Sequence, residues 1–247
     1  MAVVSGELIE VYEDRWFYEA SSMNTPRFLL LFELINGAPK FHFIETTKIR
    51  GSSSIELTSS LYRDYLKSRN IRLENSLVES AHVLTGNEGH HKFEKMFGNF
   101  AWDIGVIDEH GRTHSGDGYL LSDYFIFDRE VRSPVRGKVV GRVSDQIDNP
   151  PNPKLTGNLS GKINNYLTIH IEGPFYFSIV HFKQNSVYVD LGDEIQVGDV
   201  LGLVGNSGVS YVPHLHYTLY AYISEYDRFI SVPIPKGARS FPGLVKP

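Results

Sequence analysis

The sequence predicts an all-β protein, and three observations carry that expectation. Short apolar runs rich in β-branched and aromatic residues recur along the 247 residues, at 28–34, 40–44, 165–171, 175–182 and 200–204. Asn-Gly and Gly-Asp signals punctuate them, at Asn36-Gly37, Gly192-Asp193 and Gly198-Asp199. Helical spacing appears once, over residues 55–69. There Leu61, Tyr62, Tyr65 and Leu66 share a face, and Thr58 or Ser59 is placed to cap.

The expected organisation is an N-terminal β-rich region with one short helix over residues 1–88, followed by a second β domain over 89–247. In the first, runs 28–34 and 40–44 around Asn36-Gly37 read as a hairpin, with His42 an ordinary strand residue between Phe41 and Phe43. In the second, residues 100–106 read as a buried strand interrupted by Asp103. A carboxylate inside an apolar run is costly unless it is paired or bound to a cation. Residues 131–143 have the pattern of a small hairpin, and 145–161, with its prolines, asparagines and glycines, is the clearest loop. Runs 165–171 and 175–182 form the next expected hairpin, with His181 on the face of Phe177 and Ile179 by alternation. The signals at 192–193 and 198–199 suggest a meander into the strand at 200–204. His110 and His114 fall in a polar, glycine-rich stretch and read as solvated.

Composition narrows the function classes. Hydrophobic residues make up 41 % and aromatic residues 13 %, enough for a packed core. A formal net charge of −5 argues against a nucleic-acid partner. No apolar run reaches the length of a membrane-spanning helix. The first twenty residues carry acidic groups where a secretory leader needs a basic and then an apolar run, so no signal peptide is expected in this chain and cytoplasmic residence stays open. The chain has no cysteine, so a metal site has to be built from His, Asp or Glu.

Residues 213–220, Pro-His-Leu-His-Tyr-Thr-Leu-Tyr, alternate as a strand behind the Gly-Asn-Ser-Gly loop at 205–208. Residues two apart share a strand face, so His214 and His216 present their imidazoles together. Two half-buried histidines on a sheet are the bland alternative. Taken with Asp103, His181 and the His90-His91 pair, however, they supply a zinc kit: about three N/O ligands, a position for water, and unligated histidines to move a proton.

These pieces, in this order, resemble the lysostaphin-type zinc metallopeptidases. The matching text is Phe100-Ala101-Trp102-Asp103, then 131–140 (Val-Arg-Ser-Pro-Val-Arg-Gly-Lys-Val-Val), then Asn165-Tyr166 and His181. It ends with 197–208 leading into Pro213-His214-Leu215-His216. The resemblance implies an antiparallel β-sandwich of duplicated hybrid-motif type and one Zn2+ per chain. It further implies Asp103 and His216 as zinc ligands, and His181 and His214 as the unligated catalytic pair. The third ligand departs from the commonest pattern: Asn99 stands four residues before Asp103, where a histidine is usual. His90 or His91 fits the variant with an upstream pair. Asn164 also replaces the glycine of the family's Gly-Asn-Tyr. The implied activity is hydrolysis of a peptide bond in peptidoglycan stem peptides or cross-bridges. The implied location is the cell envelope, periplasmic or secreted; the oligomeric state is left open. Two rivals are a zinc-free envelope scaffold or amidase activator, and a phosphocarrier module using His181 or His214, for which Asp103 would be dispensable.

Overall fold

The structure is a computed structural model that describes residues 5–12, 15–22, 25–35, 38–44, 73–86, 101–159, 161–223 and 228–232. The expected helix at 55–69, the loop of His90 and His91, and Asn99 and Phe100 lie outside the described residues. Among the described residues the regular structure is antiparallel strand, apart from one short 3-10 helix at Leu121–Asp123. Among the described residues no helix is long and apolar enough to cross a membrane.

The chain divides into two compact units, Met1–Asn70 with Gly89–Asn99, and Ile71–Glu88 with Phe100–Pro247. The first contains β1 (Ser5–Tyr12), β2 (Arg15–Ser22), β3 (Thr25–Ile35) and β4 (Ala38–Ile44), a four-stranded antiparallel sheet in sequence order. Ile35 pairs with Ala38, the register expected of a two-residue connection at Asn36-Gly37.

In the second unit, eight strands form one sheet. They are β5 (His82–Gly86), β6 (Trp102–Gly105), β8 (Gly137–Val143), β9 (Tyr166–Glu172), β10 (Phe175–Val180), β11 (Glu194–Ile195), β13 (Leu215–Ile223) and β14 (Arg228–Val232). The order is β11-β8-β9-β10-β13-β6-β5. Along the edge facing away from β10, β13 pairs β6 through residues 215–217 and β14 through 219–223. β7 (Glu130–Arg132) and β12 (Val200–Leu203) make a separate two-stranded ladder.

Alternation sorts the two faces of the large sheet. Leu167, Ile169, Phe177, Ile179, Leu215 and Leu219 are completely buried. Register pairs join Ile179 to Leu167 and Tyr217, and Phe177 to Ile169 and Leu219, so all lie on one face. Each such side chain contributes about 1.5–3 kcal/mol on burial. The opposite face carries Val180 and His216, Ser178 and Thr218, and Tyr176 and Tyr220 as register pairs.

Two expectations about connectivity are corrected. Residues 131–143 are strand, turn and strand but not a hairpin: β7 pairs β12, while β8 pairs β9 and β11. Pro134 has no N–H to give a ladder, and the Ser133 hydroxyl donates to the Val135 carbonyl, so the connection turns each strand toward a different partner. Likewise the glycine turns at 192 and 198 both adopt positive φ, as their sequence suggests. The strands they separate nevertheless join different ladders rather than a meander, β11 pairing β8 and β12 pairing β7.

Candidate metal and catalytic site

β6 and β13 bring the first pair of groups together. Asp103 and His216 are cross-strand register partners, so they share a face and their side chains meet. The His216 Nδ1 lies 2.8 Å from Asp103 Oδ1. His216 Nε2 lies 3.3 Å from the Thr218 hydroxyl, two residues on along the same face. An Nδ1–H donates to the carboxylate, which is only 5 % exposed, and the Thr218 hydroxyl can then donate to Nε2. With that proton given up, the imidazole nitrogen beside the carboxylate oxygen is a donor set that zinc accepts. The residues present therefore fit the metal. Among the described residues no group of three such ligands gathers, and His90 and His91 lie outside them.

The second pair, His181 and His214, sits just off the ladder. β10 ends at Val180, and His181 takes a left-handed backbone with φ 76°. Strict alternation would put its ring on the core face with Ile179 and Phe177. The left-handed residue breaks the alternation instead, and the ring reaches His214 at 4.6 Å and His216 at 6.1 Å between centroids. The Asn165 carbonyl accepts the His181 N–H at 2.9 Å, and the Gly205 N–H donates to the His181 carbonyl at 2.9 Å. A side chain at Gly205 would press on the Lys183 backbone and the Asp148 carboxylate. Glycine is required there for the close approach.

Hydrogen bonds to carbonyls assign both tautomers. His181 Nδ1 is 2.8 Å from the Ser207 carbonyl and His214 Nδ1 is 2.8 Å from the Val212 carbonyl. A carbonyl only accepts, so each ring donates from Nδ1 and keeps its Nε2 for the site. The His214 Nε2 is 3.6 Å from Asp103 Oδ1. Burial, reinforced by the neighbouring His214 and His216, holds the His181 imidazole well below its ordinary pKa; the Ser207 carbonyl and Asp103 oppose that shift. His181 is thus a neutral base at neutral pH.

Several residues that carry this geometry stand in the matching motifs but were given no role from the sequence. Asn165, fully buried, donates from Nδ2 to the carbonyls of Gln146 and Phe182 and accepts the Gln146 N–H, bracing the turn that holds His181. The Ser207 hydroxyl donates to the Phe182 carbonyl and accepts the Asn165 N–H. Asn164, at the departure from the family pattern, accepts the Val209 N–H at 2.8 Å through its side-chain oxygen. These polar residues in turns carry no periodicity; their place within the motifs was the signal available for them. His110 and His114 take no part: His110 is exposed beside Glu109, and the half-buried His114 packs its ring on Tyr124.

Comparisons with known proteins point to one family. Residues 127–228 match the model of Peptidase family M23. The chain is 35 % identical over 66 residues to an "Uncharacterized metalloprotease" of Buchnera aphidicola subsp. Baizongia pistaciae (strain Bp). That alignment covers 27 % of this chain and 17 % of that protein, so the chain spans under a fifth of this relative. Among solved structures it is similar to the antimicrobial peptidase lysostaphin from Staphylococcus simulans, at 14 % identity over 64 % of this chain and 51 % of that one, with a TM-score of 0.39. It is also similar to a mutant catalytic domain of the prophage-encoded M23 protein EnpA from Enterococcus faecalis, at 15 % identity over 63 % and 89 % of the two chains, with a TM-score of 0.39. Over residues 127–228, which hold His181, His214 and His216, the chain matches the model of Peptidase family M23, the family that its lysostaphin-type motifs led one to expect.

Proposed function

We propose that this chain is a zinc-dependent metalloendopeptidase acting on peptide bonds of bacterial peptidoglycan, in stem peptides or cross-bridges, at the cell envelope. The observation that carries the reading is the meeting of Asp103 Oδ1 and His216 Nδ1 at 2.8 Å, with the His181 and His214 rings packed beside them. Asp103 and His216 would hold the zinc, with His90 or His91 as third ligand. Bound zinc supplies a water acidified toward neutral pH and a Lewis acid for the scissile carbonyl.

The protein's own groups do the remaining work. Neutral His181 offers Nε2 as a proton acceptor, and its fixed Nδ1–H to the Ser207 carbonyl keeps the ring from turning. After protonation the same nitrogen returns the proton to the leaving amine. His214, locked with Nε2 toward Asp103, gives a hydrogen bond to the developing oxyanion once it is protonated. Asp103, 2.8 Å from His216 and 3.6 Å from His214, favours the positive charge that His214 or His181 acquires.

The test is zinc per chain and release of new amino termini from purified peptidoglycan, for wild type and for Asp103→Ala, His90→Ala and His91→Ala. The expected result is one zinc per chain and turnover, both lost with Asp103→Ala and with one of the two histidine variants. Folded wild type that stays zinc-free with zinc supplied would overturn the reading.

A further inference from the structure

We propose that Ile147, Ile163 and Val209 form an aliphatic shelf at the rim of the site, which selects peptides with a small aliphatic side chain beside the scissile bond, alanine over glycine. This deepens the hydrolase reading above and rests on it. The three side chains are 74 %, 58 % and 54 % exposed. Exposed aliphatic residues scattered singly need no explanation. These three lie apart in the sequence and yet meet around one residue.

That residue is Gly208. An isolated antiparallel bridge pairs Asp148 with Ser207, so the residue before the one stands opposite the residue after the other, Ile147 against Gly208. Asn164, the chain neighbour of Ile163, reaches the same point. Its Oδ1 accepts the Val209 N–H at 2.8 Å, and a Cβ at Gly208 would overlap that oxygen. Gly208 also holds a left-handed φ of 73°. Glycine is therefore required where the three segments join, and the Asn164 bond ties the backbone of Val209 to the segment that carries Ile163.

The loop places this shelf beside the reacting groups. The Ser207 carbonyl accepts the His181 Nδ1–H at 2.8 Å, and Ser210 Oγ lies 3.2 Å from His214 Nδ1. Val209 lies between those two residues in the chain, so a side chain more than half exposed stands within two residues of contacts to both rings. An extended peptide rises about 3.4 Å per residue. A peptide whose scissile carbonyl faces the rings and the Asp103–His216 pair thus carries its flanking side chains over this loop.

Charge near the shelf is turned inward. Asp148 accepts the Asn206 N–H at 2.6 Å through Oδ1 and the Gln184 N–H at 3.1 Å through Oδ2, and the Lys162 ammonium donates to Asn149 Oδ1. What these segments offer a substrate is methyl groups. An aliphatic side chain covers them and is covered in turn, whereas glycine has nothing to cover. Because Asn164 fixes Val209 before a peptide arrives, little ordering opposes that gain.

The experiment uses the zinc-loaded full chain as wild type, Val209→Ser, Ile163→Ser, Val209→Ile and Asn164→Gly. It reads kcat/KM on two synthetic cross-linked stem peptides that differ only in carrying alanine or glycine beside the scissile bond, with zinc content and melting temperature alongside. Wild type is expected to prefer the alanine peptide about three- to tenfold, the scale of one methyl group covered at an open apolar surface. Val209→Ser and Ile163→Ser should each reduce that preference to about twofold or less, chiefly by slowing the alanine peptide. Val209→Ile, which keeps the aliphatic surface, should retain it, and Asn164→Gly should shift it in the direction of Val209→Ser. Equal or faster cleavage of the glycine peptide by wild type would overturn the proposal. So would a preference that both serine variants leave intact, or a Val209→Ser that slows both peptides alike, the mark of a merely structural loop. If zinc-loaded wild type cleaves neither peptide nor purified peptidoglycan, the hydrolase reading falls. Methyl spectra recorded during peptide titration then decide alone: Val209 and Ile163 signals that move with the alanine peptide and not with the glycine one support the shelf, and signals that move with neither, or equally with both, end it.

Discussion

The two pairs of groups at the site are held in opposite ways. Asp103 and His216 sit inside a regular antiparallel ladder, as register partners of β6 and β13. His181 and His214 sit just outside it, one past the end of β10 and one before the start of β13, on backbone held by side-chain and carbonyl hydrogen bonds. The ladder gives the candidate ligands a geometry that many backbone bonds enforce together. The rings that would handle protons depend on a few polar contacts outside the ladder. Rigidity is concentrated where a metal would demand fixed distances, and the adjustable contacts surround the groups whose proton affinity matters.

That contrast can be broken first at His181. Replacing it with alanine removes the proton acceptor and leaves Asp103 and His216 in their ladder, so kcat should fall by roughly two to four orders of magnitude while zinc content is unchanged. Loss of zinc in His181→Ala would mean that the two pairs are not independent. A smaller effect is expected at Asn165. Asn165→Ala strands the Gln146 N–H and carbonyl and leaves the Phe182 carbonyl with the Ser207 hydroxyl, and each buried polar group left without a partner costs about 1–3 kcal/mol. Urea unfolding should show that loss, with kcat reduced along with it because the His181 turn is loosened. Unchanged stability would show that the brace is redundant.

The smallest effect is a pH dependence of stability in the metal-free protein. His181 has a folded pKa below its unfolded value of about 6.5, so below that pH the unfolded chain binds a proton that the folded chain does not. Stability is then complete above pH ~6.5 and declines as pH falls, by at most about 1.4 kcal/mol per pH unit for this one group. His181→Ala should flatten that part of the curve; an unchanged acid slope would place the titration elsewhere.

What could be read from the sequence follows the same division. Strand alternation placed His214 and His216 on one face, and the lone acid in an apolar run marked Asp103, because a two-residue period is written directly in the chain. The left-handed turn at His181 was not legible: its alternation pointed to the core face, and only the surrounding bonds from Asn165 and Gly205 show why the backbone departs from it. The hairpin expected over residues 131–143 failed for a related reason. Local pattern identifies two strands and a turn, but partner choice is settled by other strands distant in sequence, β12 for one and β9 with β11 for the other. The Asn164–Val209 bond joins residues 45 apart, and residues in two turns give no periodic sign that they will meet.

β13 carries one further consequence. His216 on one face and Leu215, Tyr217 and Leu219 on the other come from a single strand, whose edge pairs β6 over residues 215–217 and β14 over 219–223. Sliding that run by one residue would turn the imidazole inward and the apolar side chains outward together. Insertions and deletions between residues 215 and 219 are therefore forbidden by folding before catalysis is ever tested, whereas length changes near 153–158 disturb no ladder and meet loop hydrogen bonds such as that of the Tyr211 hydroxyl to the Gly157 carbonyl. A library that varies specificity by altering chain length belongs in that loop, and one aimed at β13 should vary identity alone.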